Sequence, residues 1–117
     1  MQTIMIRIVL LISLVLFGPC SFAQKASLEP LFSLPYVVIY GRQSCPFTLN
    51  MKKELKRAGI DYQYQVIDEM EVKKQLYPRM RASGLSTQTY TLPVLDINNH
   101  ILVHPEPTEV IDKYHFN

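Results

Sequence analysis

Three features of this 117-residue chain predict an α/β fold, with element order β-α-β-α-β-β-α and a four-stranded mixed sheet flanked by helices. Tyr36 to Tyr40 is a continuous apolar run with β-branched residues, as expected of a buried strand. A helix-like stretch and an alternating strand-like stretch follow it, and such a strand–helix–strand unit is a right-handed parallel crossover. Two short apolar runs around Asn98-Asn99 read as a hairpin, which adds antiparallel strands.

Each element has a local reason. Pro46 to Ala58 reads as a helix because Thr48, Met51, Leu55 and Ala58 recur at helical spacing and form one inner stripe. Lys52, Lys53, Lys56 and Arg57 lie largely off that stripe and read as a solvated face, and Gly59 is a natural stop. From Asp61 to Ile67, Tyr62, Tyr64 and Val66 alternate with Gln63 and Gln65, which suits a half-exposed edge strand. Asp68 is a candidate N-cap for a second helix from Glu69 to about Ala82, and Pro78 inside it predicts a kink or a split. Ser83 to Tyr90 is polar and loop-like. Pro93 to Ile97 and Ile101 to His104 form the hairpin strands, because asparagine tolerates the positive φ of a tight turn. Thr108 to Tyr114 reads as the last helix.

Ahead of these elements, Ile8 to Phe17 is an apolar run preceded by Arg7 and followed by Gly18-Pro19 and Ser21-Phe22-Ala23. This pattern predicts a secretory signal over residues 1–23, a leader over 24–35 and one domain over 36–117. A retained anchor and a lipoprotein signal at Cys20 are the alternatives, against a run short of the ~20 residues of a span and a proline before that cysteine. Cleavage places the protein outside the cytoplasm, periplasmic or secreted, with no membrane attachment. Removing Arg7 from the 12 basic residues leaves 11 against 10 acidic ones, so no polyanion or nucleic-acid partner is implied.

The chemistry concentrates at Cys45-Pro46-Phe47-Thr48. Cys20 leaves with the signal, so Cys45 stands alone; it is then buried and inert, paired between chains as a disulfide-linked dimer, or a reactive thiol. Its position at a helix start favours thiolate, because unpaired N–H groups and partial positive charge gather there. Pro46 suits the first helical position, where its missing N–H costs nothing. Thr48 occupies the place a dithiol motif gives a second cysteine, and it either donates its hydroxyl to the thiolate or packs inward. Arg42 either supports the thiolate or is a solvated charge, and Phe47 either meets substrate or is simply exposed. His100 and His104 lie four residues apart on a strand, about 13 Å, too far to share a metal. No metal site is expected, and nothing supports a Cys45–His104 hydrolase.

Tyr40-Gly41-Arg42-Gln43-Ser44-Cys45-Pro46-Phe47-Thr48, the segment Thr91-Leu92-Pro93 and the element order together make Tyr36 to Tyr114 resemble a glutaredoxin of the thioredoxin-fold superfamily. The resemblance implies a monothiol, glutathione-dependent thiol-disulfide oxidoreductase with glutathione as co-substrate and thiol-containing proteins as partners. Cys45 matches the nucleophile, and Arg42 the cation that supports thiolate and carboxylate. Thr91, Leu92 and Pro93 match the segment whose cis-proline and preceding backbone meet glutathione. The family's Gly-Gly and acidic residues correspond to Val103-His104-Pro105-Glu106-Pro107, where only Glu106 supplies an acid and Val103 and His104 crowd the ligand. Pro46 stands where the family's monothiol iron–sulfur carriers have glycine.

Two other readings stay open. One is a catalytically degenerate thioredoxin-fold binding module, favoured by the crowded Val103-His104. The other is a relative of the arsenate-reductase and Spx-like branch, since Tyr40 to Ile60 suits either branch; Thr91-Leu92-Pro93 and the short chain favour glutaredoxin.

Overall fold

A computed structural model describes residues 29–116. The expected signal over 1–23, Cys20 and the first part of the leader lie outside the described residues. In chain order the elements are β1 (Val37–Gly41), α1 (Pro46–Arg57), β2 (Gln63–Val66), α2 (Met70–Ala82), β3 (Val94–Ile97), β4 (His100–Val103) and α3 (Pro107–His115). The strands form one sheet in the order β2-β1-β3-β4. β1 pairs parallel with β2 and antiparallel with β3, and β3 pairs antiparallel with β4. The architecture is the mixed, thioredoxin-like α/β fold that the sequence predicts.

The alternation of β1 builds two cores. Tyr36, Val38 and Tyr40 face Val72, Leu76 and Met80 of α2. Val37 and Ile39 face Met51 and Leu55 of α1 and Val110 of α3. Every residue of β1 is buried, as a central strand covered on both faces must be. Tyr62 and Tyr64 pack against the second core, and Lys52 lies 3.2 Å from the centroid of the Tyr64 ring. That lysine is therefore held over an aromatic face rather than simply solvated.

Three local expectations change. Ala58 is an exposed C-cap rather than part of the inner stripe; Gly59, at φ +74°, turns the chain so that Ile60 N–H reaches the Leu55 carbonyl at 2.9 Å. The N-cap of α2 is Glu69, without a side-chain cap, because the Asp68 carboxylate is taken by Arg42. Pro78 neither ends nor splits α2, which runs unbroken over 13 residues from Met70 to Ala82. Its ring lies on the exposed face, where water can serve the carbonyl it leaves unpaired.

The hairpin turn places Asn98 at φ 50° and Asn99 at φ 73°, the positive pair a two-residue turn demands. The Asn98 side chain accepts the Tyr36 N–H at 2.7 Å and donates to the carbonyls of Lys113 and Tyr114. It thereby ties the approach to β1, the hairpin and the end of α3 together. At the other end of the sheet, the C-terminal ends of β1 and β4 and the N-terminal end of β3 converge. Arg42 to Cys45, Leu92-Pro93 and His104 extend from those three strand ends.

Candidate functional site

Cys45 leaves β1 through a tight turn, in which its N–H donates to the Arg42 carbonyl at 3.1 Å. It is the N-cap of α1 in extended conformation, Pro46 follows in the first turn, and that turn carries no acidic residue. The helix thus presents unopposed N–H groups to the thiol. Burial raises the thiol pKa, but the Thr48 hydroxyl, the N–H groups of Thr48 and Phe47 and the Arg42 charge outweigh it, and the net shift is downward. Cys45 is half-buried and makes no disulfide.

Thr48 is fully buried, and its Oγ1 has no hydrogen-bond partner. A buried hydroxyl without a partner is destabilising by about 1–3 kcal/mol, so its persistence needs a reason. The neutral thiol is a poor acceptor, whereas a thiolate is a good one. The same hydroxyl is the strongest of the groups that lower the Cys45 pKa, so ionising Cys45 gives it the acceptor it lacks. Gly41 makes room for it. A Cβ at position 41 would overlap Thr48 Oγ1 and stand 2.6 Å from its Cγ2.

Arg42 is exposed beside Cys45, and its guanidinium is held by Asp68 through Nε at 2.9 Å to both carboxylate oxygens and Nη2 at 2.7 Å to Oδ1. The hydrogen bond to Arg42 holds the Asp68 carboxyl below the usual range; burial opposes it, and the charges of Arg42 and Lys73 add to it. Arg42 also lines an open cavity of about 320 Å³ with Tyr77, Tyr90 and Leu92. The hydroxyls of Tyr77 and Tyr90 meet at 2.7 Å on its wall.

The Leu92–Pro93 peptide bond is cis. Beside it, His104 adopts φ 50°, a left-handed conformation uncommon outside glycine and asparagine. Its N–H donates to the Pro93 carbonyl at 2.8 Å, its ring Nδ1 lies 2.8 Å from the Leu92 carbonyl oxygen, and its ring meets Phe47 edge-on at 4.7 Å. A carbonyl oxygen only accepts, so Nδ1 carries the proton in that bond. Phe47, His104, Pro93 and Glu106 line a second, narrower cavity of about 130 Å³.

The residues singled out from the sequence are therefore gathered at one end of the sheet. Cys45, Phe47 and Thr48 share the first turn of α1. Arg42 and Leu92 line one cavity, and Phe47, Pro93 and Glu106 the other. Thr91 is exposed next to Leu92, and Glu106 is the N-cap of α3. Asp68 as the partner of Arg42, Gly41 as the recess for Thr48 and the His104–Leu92 bond escaped the sequence reading. All three are pairings between separate elements or turns that periodicity does not carry. Only the positive φ of His104 left a trace, at a position where the resembling family has glycine. Among the described residues, no group of three or more His, Cys, Asp or Glu side chains could hold a metal ion, and no helix is long and apolar enough to cross a membrane.

The comparisons with known proteins bear on the family and the fold. A family model described as glutaredoxin matches residues 37–102. The crystal structure of a glutaredoxin from Archaeoglobus fulgidus superposes with a TM-score of 0.52 at 21% identity, covering 77% of this chain and 98% of that one, a likeness of fold. No curated protein sequence matches the chain.

Proposed function

The chain belongs to the glutaredoxin family, and from that premise we propose that it is a monothiol thiol-disulfide oxidoreductase acting through Cys45 on glutathione or protein mixed disulfides. One observation carries the reading: the pKa-lowered thiol of Cys45 beside a buried Thr48 hydroxyl that lacks an acceptor. The Cys45 thiolate attacks one sulfur of a disulfide R–S–S–R′. The Cys45–S–S–R bond forms, the S–S bond of the substrate breaks, and R′–S⁻ leaves with the electron pair. Thr48 cannot resolve the adduct, so an external thiolate attacks it, releases Cys45 as thiolate and carries R away as a new disulfide. Thr48 Oγ–H and the N–H groups of Phe47 and Thr48 stabilise Cys45 both as attacking thiolate and as leaving group. Lowering the thiol pKa helps both steps near neutral pH, because the thiolate is the nucleophile and the weaker base leaves faster.

Glutathione enters as substrate, on Arg42, Phe47, Thr91, Pro93 and Glu106, and on the Leu92 main chain once the His104 ring yields its carbonyl. The Arg42 cation suits a carboxylate. The signal-like segment at residues 1–23 supports export, where glutathione or thiol proteins of that compartment act as partners. The test is turnover of a glutathionylated peptide with excess glutathione, comparing the chain with Cys45→Ser. The expected result is turnover that falls to the uncatalysed background in the variant. Equal rates would refute catalysis by Cys45.

A second reading, capture of a partner without turnover, is favoured by the His104 side chain on the Leu92 carbonyl. It predicts rapid alkylation of Cys45 and a stable mixed disulfide, with no turnover.

A further inference from the structure

We infer that His104 is a specificity-determining residue that slows the capture of peptide-borne disulfides, glutathione disulfide among them, by holding the Leu92 carbonyl against main-chain pairing. The inference rests on the proposed role of Cys45 as nucleophile and concerns what that nucleophile admits. Leu92 precedes β3 at the end of the sheet where the Arg42–Cys45 turn and the end of β4 converge. Its carbonyl is a main-chain acceptor at the mouth, and an extended peptide bringing a disulfide to Cys45 would use such an acceptor as an added strand does.

That acceptor is taken by the His104 ring Nδ1 at 2.8 Å. The ring is held from two sides. Phe47 meets it edge-on at 4.7 Å, and the His104 N–H is fixed to the Pro93 carbonyl at 2.8 Å. The chain also tolerates φ 50° at a non-glycine residue to place it there. Edge-on aromatic contact and a half-buried hydrogen bond both resist displacement. The Arg42–Asp68 pair differs. Both of its side chains are about half exposed, at 52% and 53%, so water and salt weaken it and an incoming carboxylate exchanges with Asp68 readily. Of the two self-made contacts at the mouth, His104 on Leu92 therefore sets the barrier. A disulfide without peptide groups has no use for the Leu92 carbonyl and is indifferent to it.

The test measures second-order rates of mixed-disulfide formation on Cys45 in the full chain, followed by mass spectrometry, with two probes. Glutathione disulfide carries peptide groups; 2-hydroxyethyl disulfide carries none. His104→Gly suits the left-handed backbone and removes the donor, and His104→Asn, which also tolerates positive φ and keeps a donor at the δ position, is the control. The expected result in His104→Gly is a five- to tenfold gain with glutathione disulfide, the factor carried by about one backbone hydrogen bond, with a smaller gain in His104→Asn and less than a twofold change with 2-hydroxyethyl disulfide in either. Equal gains with both probes, meaning simple widening of the mouth, would overturn the inference, as would no gain with either. Alkylation by iodoacetamide separates the two levels. A Cys45 that fails to alkylate in every form removes the nucleophile itself, whereas brisk alkylation with an unchanged probe ratio removes only the role of His104.

Discussion

Two polar clusters are buried in this domain, and they are treated in opposite ways. Away from the thiol, fully buried Asp96 receives Arg79 Nη2 at 2.6 Å and the Tyr36 hydroxyl at 3.0 and 3.1 Å. Arg79 further donates to Asn99 Oδ1 and to the Glu29 carbonyl, leaving only its Nε without a partner. At the thiol end, Thr48 is equally buried, yet its hydroxyl has no partner. A satisfied cluster fixes a fold, because each group would be costly to leave alone. The Arg79–Asp96 cluster holds α2, β3 and the leader together, whereas the Thr48 hydroxyl, like that of Tyr64, is buried without a partner, and ionising Cys45 would give it an acceptor.

That contrast breaks first at Asp96. Asp96→Ala strands the Arg79 guanidinium in the core and should reduce stability by about 3–5 kcal/mol, read by denaturant unfolding. Where the variant is folded, the pH profile of Cys45 alkylation should not move. A shifted profile would show that the two clusters are coupled. Thr48→Val should do the reverse. It removes an unpaired hydroxyl while keeping the shape, so stability should hold or rise within about 1 kcal/mol. The thiolate loses its donor, so the alkylation midpoint, which lies below the ordinary thiol range in the parent, should move up and the rate at neutral pH should fall. An unmoved midpoint would make Thr48 a packing residue. The smallest effect belongs to Arg42→Ala. Stability should be nearly unchanged, because the Asp68 pair is exposed and screened by water. The same midpoint should rise by less than in Thr48→Val, since Arg42 is the weakest of the groups that lower the Cys45 pKa.

The element order, the hairpin at Asn98-Asn99 and the gathering of Cys45, Thr48, Arg42 and Pro93 were legible because each follows from local pattern or chain topology. Asp68 was not. A carboxylate one residue before a helix looks like a cap until the structure brings Arg42 to it across 26 positions. Of the two outcomes Pro78 predicts, a kink or a split, the split does not occur, because buried Leu76 and Met80 anchor the turns on either side while the exposed ring leaves the unpaired carbonyl to water. His104 was legible as an obstruction but not as a hydrogen-bond donor, because that depends on a left-handed turn setting the ring against Leu92.

Gly41 and Thr48 also constrain how this lineage can change. No side chain can be added at position 41 while a branched residue fills the space beneath it, since even a Cβ would overlap Thr48. The permitted order of mutation is therefore position 48 first, toward alanine, which has no γ atom to overlap, and position 41 afterwards. Cysteine fills no more of that recess than threonine does, so a second thiol facing Cys45 lies one substitution away while Gly41 is kept. Glycine at 41 thus keeps open the passage between a one-thiol and a two-thiol motif, and a sequence that replaces it must first give up the γ atoms at position 48.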